Sequence, residues 1–546
     1  MTTYYPALNE LFVFLNTTIT QISRYTSRIP GSSILLKYVK NSHQDDPYRS
    51  LLELLLACFV VWYLFAKKYR TDNFIELTRQ EVEELVDEWQ PEPLVTSLSE
   101  KQRWELEKTP VIVGPPGHKP KMSNGDTVIN LASFDFLGLS NNELIKEKAI
   151  KTLREYGVGA CGPPGFYGTM DVHTEFERNI SKFLGTEESI LYSQGFSTIS
   201  SAIPSFCKRG DIIIVQKGIQ ISRSIVKWFN HNDMNDLERI LKEIRAEDIE
   251  TGRQLTRRFI VTEGIFQNFG DIAPLPELIE LKKKYKYRII LDESLSVGTL
   301  GQRGAGLTDY FNIKTSDVDM IVGSMCHALC SSGGFCSGSH EITDYQRISG
   351  PAYCFSAALP APLAVSASES LAFLSQNTHL LVNLQENSRA FRNMFKDMNN
   401  YVRLDGAADS PVLHLRLNKQ VLDFSEGNDD DNDNINSNRL YNYHGRRHNN
   451  NLSETSDDSD KADRVLQEIV DKAMNNGVLL TRAKYVRDQE HFGIEPSIRI
   501  CISASFTKKE VENIAITLKN VITNVLRSKT REIPSATSTA YTNGTK

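Results

Sequence analysis

The chain has 546 residues and a mass of 61.7 kDa, more than one domain of roughly 100 to 200 residues requires. Its 40% hydrophobic and 24% charged residues exclude collagen-like, wholly disordered and multi-span membrane classes. The net charge of -6 is local, because ten acidic residues face four basic ones between Glu426 and Asp463, so no polybasic surface for nucleic acid is indicated.

In chain order, residues 1–50 read as an N-terminal membrane-proximal segment. The apolar run Leu51–Ala66, LLELLLACFVVWYLFA, is followed by Lys67, Lys68 and Arg70. It is slightly short of the roughly 17 to 25 residues that span a bilayer. Its large residues and basic end argue against a cleaved signal peptide, so residues 51–70 are expected to form one transmembrane helix, with a buried core helix as the alternative. The Lys/Arg cluster would place the bulk of the chain on the cytosolic side. Residues 71–108 read as a polar connector.

From 109 to 375, short strand-like runs alternate with amphipathic stretches. Strands are expected at Ser189–Tyr192, Asp211–Val215, Phe259–Thr262, Arg288–Leu291 and Met320–Val322, and helices at Glu143–Tyr156, Asp236–Arg245 and Leu275–Tyr285. That alternation predicts an α/β fold with a mostly parallel sheet covered on both faces. Residues 376–424 and 462–530 predict a smaller α/β domain with strands at Val412–Leu417, GVLLTRA and SIRICISAS, a helix from Ala462 to Asn476 and a closing helix from Thr507 to Leu526. Between them, residues 425–461 are acidic and lack apolar periodicity, which predicts a disordered insertion. Residues 531–546 are expected to be a mobile tail.

The eight cysteines are dispersed and form no CxxC pair, which suits reduced thiols rather than a disulfide framework. Cys326, His327, Cys330 and Cys336 have metal-ligand chemistry, but their Gly/Ser-rich segment is better explained structurally and no metal is expected. Gly157, Gly159 and Gly162 spell GxGxxG, yet they follow a helical stretch where a dinucleotide site needs a strand.

A stronger signal is the ordered series YGVGACGPPGFYGTMDVHTEFE (156–177), YSQGF, FNHNDMNDLE, TEGIFQNFGDIAPLPEL, LDESLSVGTLGQRGAG, GSMCHALCSSGGF and SIRICISASFT. Together these resemble the α-oxoamine synthases, pyridoxal-phosphate enzymes that condense an amino acid with an acyl-CoA. The resemblance implies the aspartate-aminotransferase fold (fold type I), with a large domain and a small C-terminal α/β domain. It also implies a lysine for the aldimine, a carboxylate on the pyridine nitrogen, an imidazole stacked on the ring and donors for the phosphate.

Asp292 matches the carboxylate. Where the catalytic members carry a histidine three residues on, this chain has Leu295. Where their motif reads roughly GTxxKxxGxxGG, this chain has GSMCHALCSSGG, which places His327 at the lysine position. After Val215 the loop that carries the stacking histidine has no counterpart, whether by deletion or by a fault in the coding sequence.

These losses match a branch of the family in which a homologous second subunit supplies the lysine and the site forms between the two. That branch condenses L-serine with palmitoyl-CoA to 3-ketodihydrosphingosine, CoA and carbon dioxide at the endoplasmic reticulum membrane. The resemblance therefore implies pyridoxal 5'-phosphate bound covalently by the lysine-bearing partner. It implies a small activating subunit, Orm-type regulators and membrane lipid as further partners. Asp292, Ser331, Ser332 and Gly333 are the expected cofactor-facing residues, and Cys161, Gly162, Tyr167 and Arg499 are expected at the substrate or subunit interface. Cys161 is also readable as a small buried residue, and Arg499 as a structural ion pair. His173 and His231 read as hydrogen-bonded framework residues. Two other readings stay open: a self-sufficient acyltransferase, and a structural or regulatory membrane scaffold.

Overall fold

A computed structural model of the chain describes residues 47–65, 78–89, 109–215, 224–418, 452–485 and 494–531, with scattered positions between 34 and 107. It divides into two units, Met1–Arg103 and Trp104–Lys546.

The first unit contains the helix Pro47–Phe65. Among the described residues, no helix is long and apolar enough to cross a membrane. This overturns the single-pass endoplasmic reticulum anchor expected at 51–70. Arg49 and Glu53 lie inside the helix, and the uncharged remainder Leu54–Phe65 extends about 18 Å at 1.5 Å per residue, against about 30 Å of hydrocarbon. A second helix, Arg79–Glu88, lies in the expected connector and starts with a capping box. Thr78 accepts the Glu81 N–H, and Glu81 accepts the Thr78 N–H at 2.7 Å, so two orphan helix donors are satisfied reciprocally.

In the second unit, β1 (Ile112–Val113) and β2 (Lys121–Met122) form an antiparallel ribbon. β3 (Ile129–Asn130) pairs in parallel with the distant β13 (Val478–Leu479). The central sheet contains β4 (Glu188–Tyr192), β5 (Ile212–Val215), β6 (Ile225–Trp228), β7 (Arg258–Glu263), β8 (Arg288–Asp292), β9 (Met320–Ser324) and β10 (Gly334–Gly338), in the order β4-β10-β9-β8-β7-β5-β6. The pairs from β9 through β6 are parallel, and β10 runs antiparallel to both its neighbours.

Side chains alternate across this sheet as the strand period of two demands. Ile212, Ile214, Ile260, Ile289, Leu291 and Ile321 enter the larger core on one face. Ile213, Val215, Phe259, Val261, Ile290 and Val322 enter a second core on the other. Burial on both faces is why these strands read as continuous apolar runs.

The smaller sheet, β11 (Val402–Asp405), β12 (Val412–Leu417), β15 (Ile498–Cys501) and β14 (Thr481–Arg482) in that order, is antiparallel. The helices His379–Met394, Leu452–Asn475 and Lys508–Arg531 accompany it. The Leu452–Asn475 helix starts ten residues before the expected Ala462. The rest of the expected insertion, and the segment after Val215, lie outside the described residues. His414 of β12 ties the small sheet to the large domain, with Nε2–H donating to the Gln267 carbonyl at 2.9 Å and Nδ1 accepting from Ser497 Oγ at 2.9 Å. Burial pushes this imidazole down to about 4, so it bridges as the neutral form.

Candidate functional site

The parallel strands deliver their C-terminal ends, and the loops that follow, to one rim of the sheet. In open α/β sheets this rim is where ligands bind. Asp292 closes β8 there. Its Oδ1 accepts the Ser294 N–H at 2.9 Å, and burial holds its carboxyl above the ordinary range. Ser294 in turn offers its carbonyl to His327, whose Nδ1–H donates at 3.0 Å. The His327 ring meets Phe134 edge to face at a centroid distance of 4.7 Å. Arg499 covers the same Phe134 ring, its guanidinium carbon 4.3 Å from the centroid. Burial, with the nearby Arg499 charge, pushes His327 down to about 4. The imidazole is therefore neutral at physiological pH, and its Nε2 carries a lone pair.

Arg499 Nη2 donates to the Ala132 carbonyl at 3.3 Å, while its Nε is buried with no hydrogen-bond partner. Among the described residues no carboxylate lies within ion-pairing distance of it. Leu295 is 4% exposed and belongs to the large core, so the position three residues after Asp292 serves packing and not ring stacking.

The turn between β9 and β10 holds the remaining motif residues. Cys330 has φ +47°, a left-handed conformation that favours glycine, and it stands where the catalytic motif has one. The chain keeps the glycine backbone while adding a thiol that donates to Asp135 Oδ1 at 3.0 Å; burial pushes that thiol up. Ser331 is engaged inside the chain through Oγ–H to the Leu363 carbonyl at 2.7 Å. Ser332 is half-buried. Gly333 has φ +95°, and a Cβ there would come within 2.7 Å of the Met325 side chain and the Tyr192 carbonyl.

The 157–168 loop reaches the same rim. Gly157 ends the Glu143–Tyr156 helix, so the GxGxxG follows a helix and not a strand. Cys161 is exposed and has φ +55°, which replaces the small-buried-residue reading. Gly162 accepts the Ala358 N–H at 2.9 Å, and Gly168 folds so tightly onto Gly162 that a Cβ would collide with its carbonyl. Tyr167 is 97% exposed. The segment 358–363 joins the loops, since Ala358 binds Gly162, Leu359 accepts His173 Nε2–H at 2.6 Å and Leu363 accepts Ser331. His173 is thus a buried framework group, and His231 is a half-buried one, stacked on Phe269 at 4.0 Å and bonded to Asp271 at 2.7 Å.

Two groups escaped the sequence reading. Phe134, in ASFDF, forms the centre of the His327–Phe134–Arg499 stack. Glu293, fully buried, accepts the Leu307 N–H with both carboxyl oxygens and the Ser296 hydroxyl; burial pushes it up to about 7. Its position beside Asp292 in LDESLS was the only available signal. Among the described residues no group of three His, Cys, Asp or Glu is arranged to hold a metal.

Comparison with known proteins places this geometry. The family described as aminotransferase class I and II matches residues 126–518. Serine palmitoyltransferase 1 of Saccharomyces cerevisiae is 39% identical over 94% of this chain and 94% of its own length. Serine palmitoyltransferase 1 of Dictyostelium discoideum is 38% identical over 87% of this chain and 94% of its own. Long chain base biosynthesis protein 1 of Arabidopsis thaliana is 42% identical over 67% and 76%. Among solved structures, SPT with its PLP internal aldimine aligns with TM-score 0.62 at 20% identity, over 78% of this chain and 96% of that one. Sphingomonas wittichii serine palmitoyltransferase aligns with TM-score 0.61 at 21% identity, over 76% and 92%. At those identities the solved structures speak for the fold alone, whereas the relatives that match most of the sequence carry the assignment: the chain belongs to the serine palmitoyltransferase 1 family, within the class I and II aminotransferases.

Proposed function

We propose that the chain is the subunit of serine palmitoyltransferase that lacks the aldimine lysine. Its enzyme condenses L-serine with palmitoyl-CoA to 3-ketodihydrosphingosine, CoA and carbon dioxide. The observation that carries the reading is His327, a neutral imidazole held on the Ser294 carbonyl at the lysine position. An imidazole cannot form the imine, and the Phe134 and Arg499 side chains stack beside it. The residues of this chain therefore do not fit covalent attachment of pyridoxal phosphate, and no step through the cofactor is assigned to them. When bound, the cofactor supplies an electron sink; in this reading the lysine-bearing homologous subunit holds it.

A surface for that subunit is supported by the same rim. Phe166, Tyr167, Phe196 and Phe355 are 72%, 97%, 80% and 87% exposed. The loops bearing them adjoin, through Gly162 to Ala358 and Ser193 Oγ to Ser356 Oγ at 3.4 Å. Clustered exposed aromatics mark interaction sites. In this reading Cys161, Gly162 and Tyr167 border the shared site, Ser332 and Gly333 face the partner's cofactor, and Arg499 offers its guanidinium to a carboxylate. The small activating subunit and Orm-type regulators belong to the same proposal.

The test is purification of the tagged chain from its native source, with its stoichiometric partner identified and the absorbance recorded before and after the partner is stripped. A lysine-bearing homologue with an aldimine band that leaves with it is the expected result. A band retained by the isolated chain would refute the reading in favour of a self-sufficient enzyme. Loss of activity, with normal assembly, on replacing Tyr167 and Cys161 would separate the shared site from a scaffold.

A further inference from the structure

The opposite rim of the central sheet, formed by the N-terminal ends of β7, β8 and β9, holds a cavity of about 280 Å³. Arg288 opens β8 and Asp292 closes it, so the cavity lies about 13 Å along the strand from the rim described above. Its floor is Phe259, Met320 and Ile342, which are 1%, 1% and 9% exposed. One wall is aromatic, with Phe206 and Tyr345 at a centroid distance of 5.2 Å and tilted by 48°.

Two guanidiniums complete the lining. Arg257 donates Nη1–H to the Phe206 carbonyl at 3.0 Å, a neutral acceptor. Among the described residues, neither Arg257 nor Arg288 has a carboxylate at ion-pairing distance. Of the two acids in the lining, Asp319 is neutralised by Lys282 at 2.5 Å and also accepts the Ile289 N–H at 2.8 Å. Glu341 accepts the Ser339 hydroxyl at 2.6 Å. Glu341 stays ionised, so with Lys282 counted three cations face two carboxylates and the cavity keeps an excess of one positive charge above an apolar floor.

We propose that this cavity binds a small amphiphilic anion, its phosphate or carboxylate head between Arg257 and Arg288 and its apolar body on Phe259 and Ile342 against the Phe206–Tyr345 wall. Guanidinium forks suit planar or tetrahedral anions. The volume lies just below the roughly 300 to 1,000 Å³ usual for small-molecule sites, which selects a short chain or single ring over a long acyl group. The inference does not depend on the chemistry at the other rim.

The test is titration calorimetry of the full chain, with the subunits that accompany it, against octyl phosphate below its micellar concentration. Octanoate, inorganic phosphate and octyltrimethylammonium are the comparison ligands. The expected result is a saturable component for octyl phosphate or octanoate, the better of the two identifying the head. In R257Q/R288Q that component should weaken by about tenfold or more. R288Q alone, whose side chain has no hydrogen bond among the described residues, should keep the fold and lose part of the same component. An isotherm identical in wild type, R288Q and R257Q/R288Q would overturn the proposal. So would equal binding of the ammonium amphiphile, or of inorganic phosphate without a chain.

Discussion

Replacing Glu293 by glutamine should change stability in a pH-dependent way whose sign follows from its burial. The carboxyl titrates near 7 in the folded chain against an ordinary value of 4.5, and loss of solvation is the largest cause. A raised carboxylate pKa means that the folded state holds a proton the unfolded state has already lost. Wild-type stability therefore falls as pH rises from about 4.5 to about 7 through this group. The difference of some 2.5 units corresponds to about 3 kcal/mol. Glutamine keeps the shape and can still accept the Leu307 N–H and bond to Ser296, but it never ionises. E293Q should match wild type below about pH 4 and exceed it by a margin that grows from under about 1 kcal/mol at pH 5 to about 3 kcal/mol near pH 8. Thermal melts of the two proteins in parallel from pH 5 to 8.5 measure the difference, with all other titrations cancelling. A difference that stays flat across that range would refute the argument that a buried, near-neutral carboxyl holds the 293–307 loop.

Cys330→Val should destabilise by about 1 to 3 kcal/mol, because a β-branched residue resists φ near +47° and the bond to Asp135 is lost. Cys330→Gly should cost less, and denaturant melts rank the pair. Gly168→Ala should distort the 157–168 loop, since its methyl collides with the Gly162 carbonyl; faster proteolysis there and weaker partner retention are the readouts. His327→Lys should produce no aldimine band in the isolated chain, because the amine is buried beside Arg499 and the Phe134 stack remains. Appearance of that band would show that the substitution at 327 alone accounts for the lost chemistry.

Much of the large domain was legible because burial on both faces writes a strand as a short apolar run. IIIV, RFIVTE, RIILD and MIVGS all form central strands, and Glu143–Tyr156 and Leu275–Tyr285 form helices over the expected residues. β10, GFCSG, escaped because nothing in its composition favours a strand; it is held by pairing with β4 and β9 on both sides. β6 escaped because an edge strand of four residues with alternating exposure gives little pattern. The apolar run at Leu51–Ala66 misled because its large residues and the basic cluster after it were weighed more heavily than its short length and the internal Glu53. At the site, the departures at Leu295 and His327 were readable one residue at a time. The Phe134 stack was not, because it joins residues 134, 327 and 499 through tertiary packing that no local pattern records.

The pairing of β3 with β13 has a consequence for the order in which the chain can be completed on the ribosome. Ile129 waits for Val478, roughly 350 residues later, which at about 5 to 20 residues per second is on the order of 20 to 70 s of synthesis. Cys501 and Ala504 then donate to the Leu131 and Phe136 carbonyls, closing the same segment later still. Through that interval Leu131, Phe136 and Leu137, all buried in the finished chain, lack the C-terminal part of their cover. This early stretch is thus among the last to be locked, and its apolar residues stay partly uncovered while the rest is being translated.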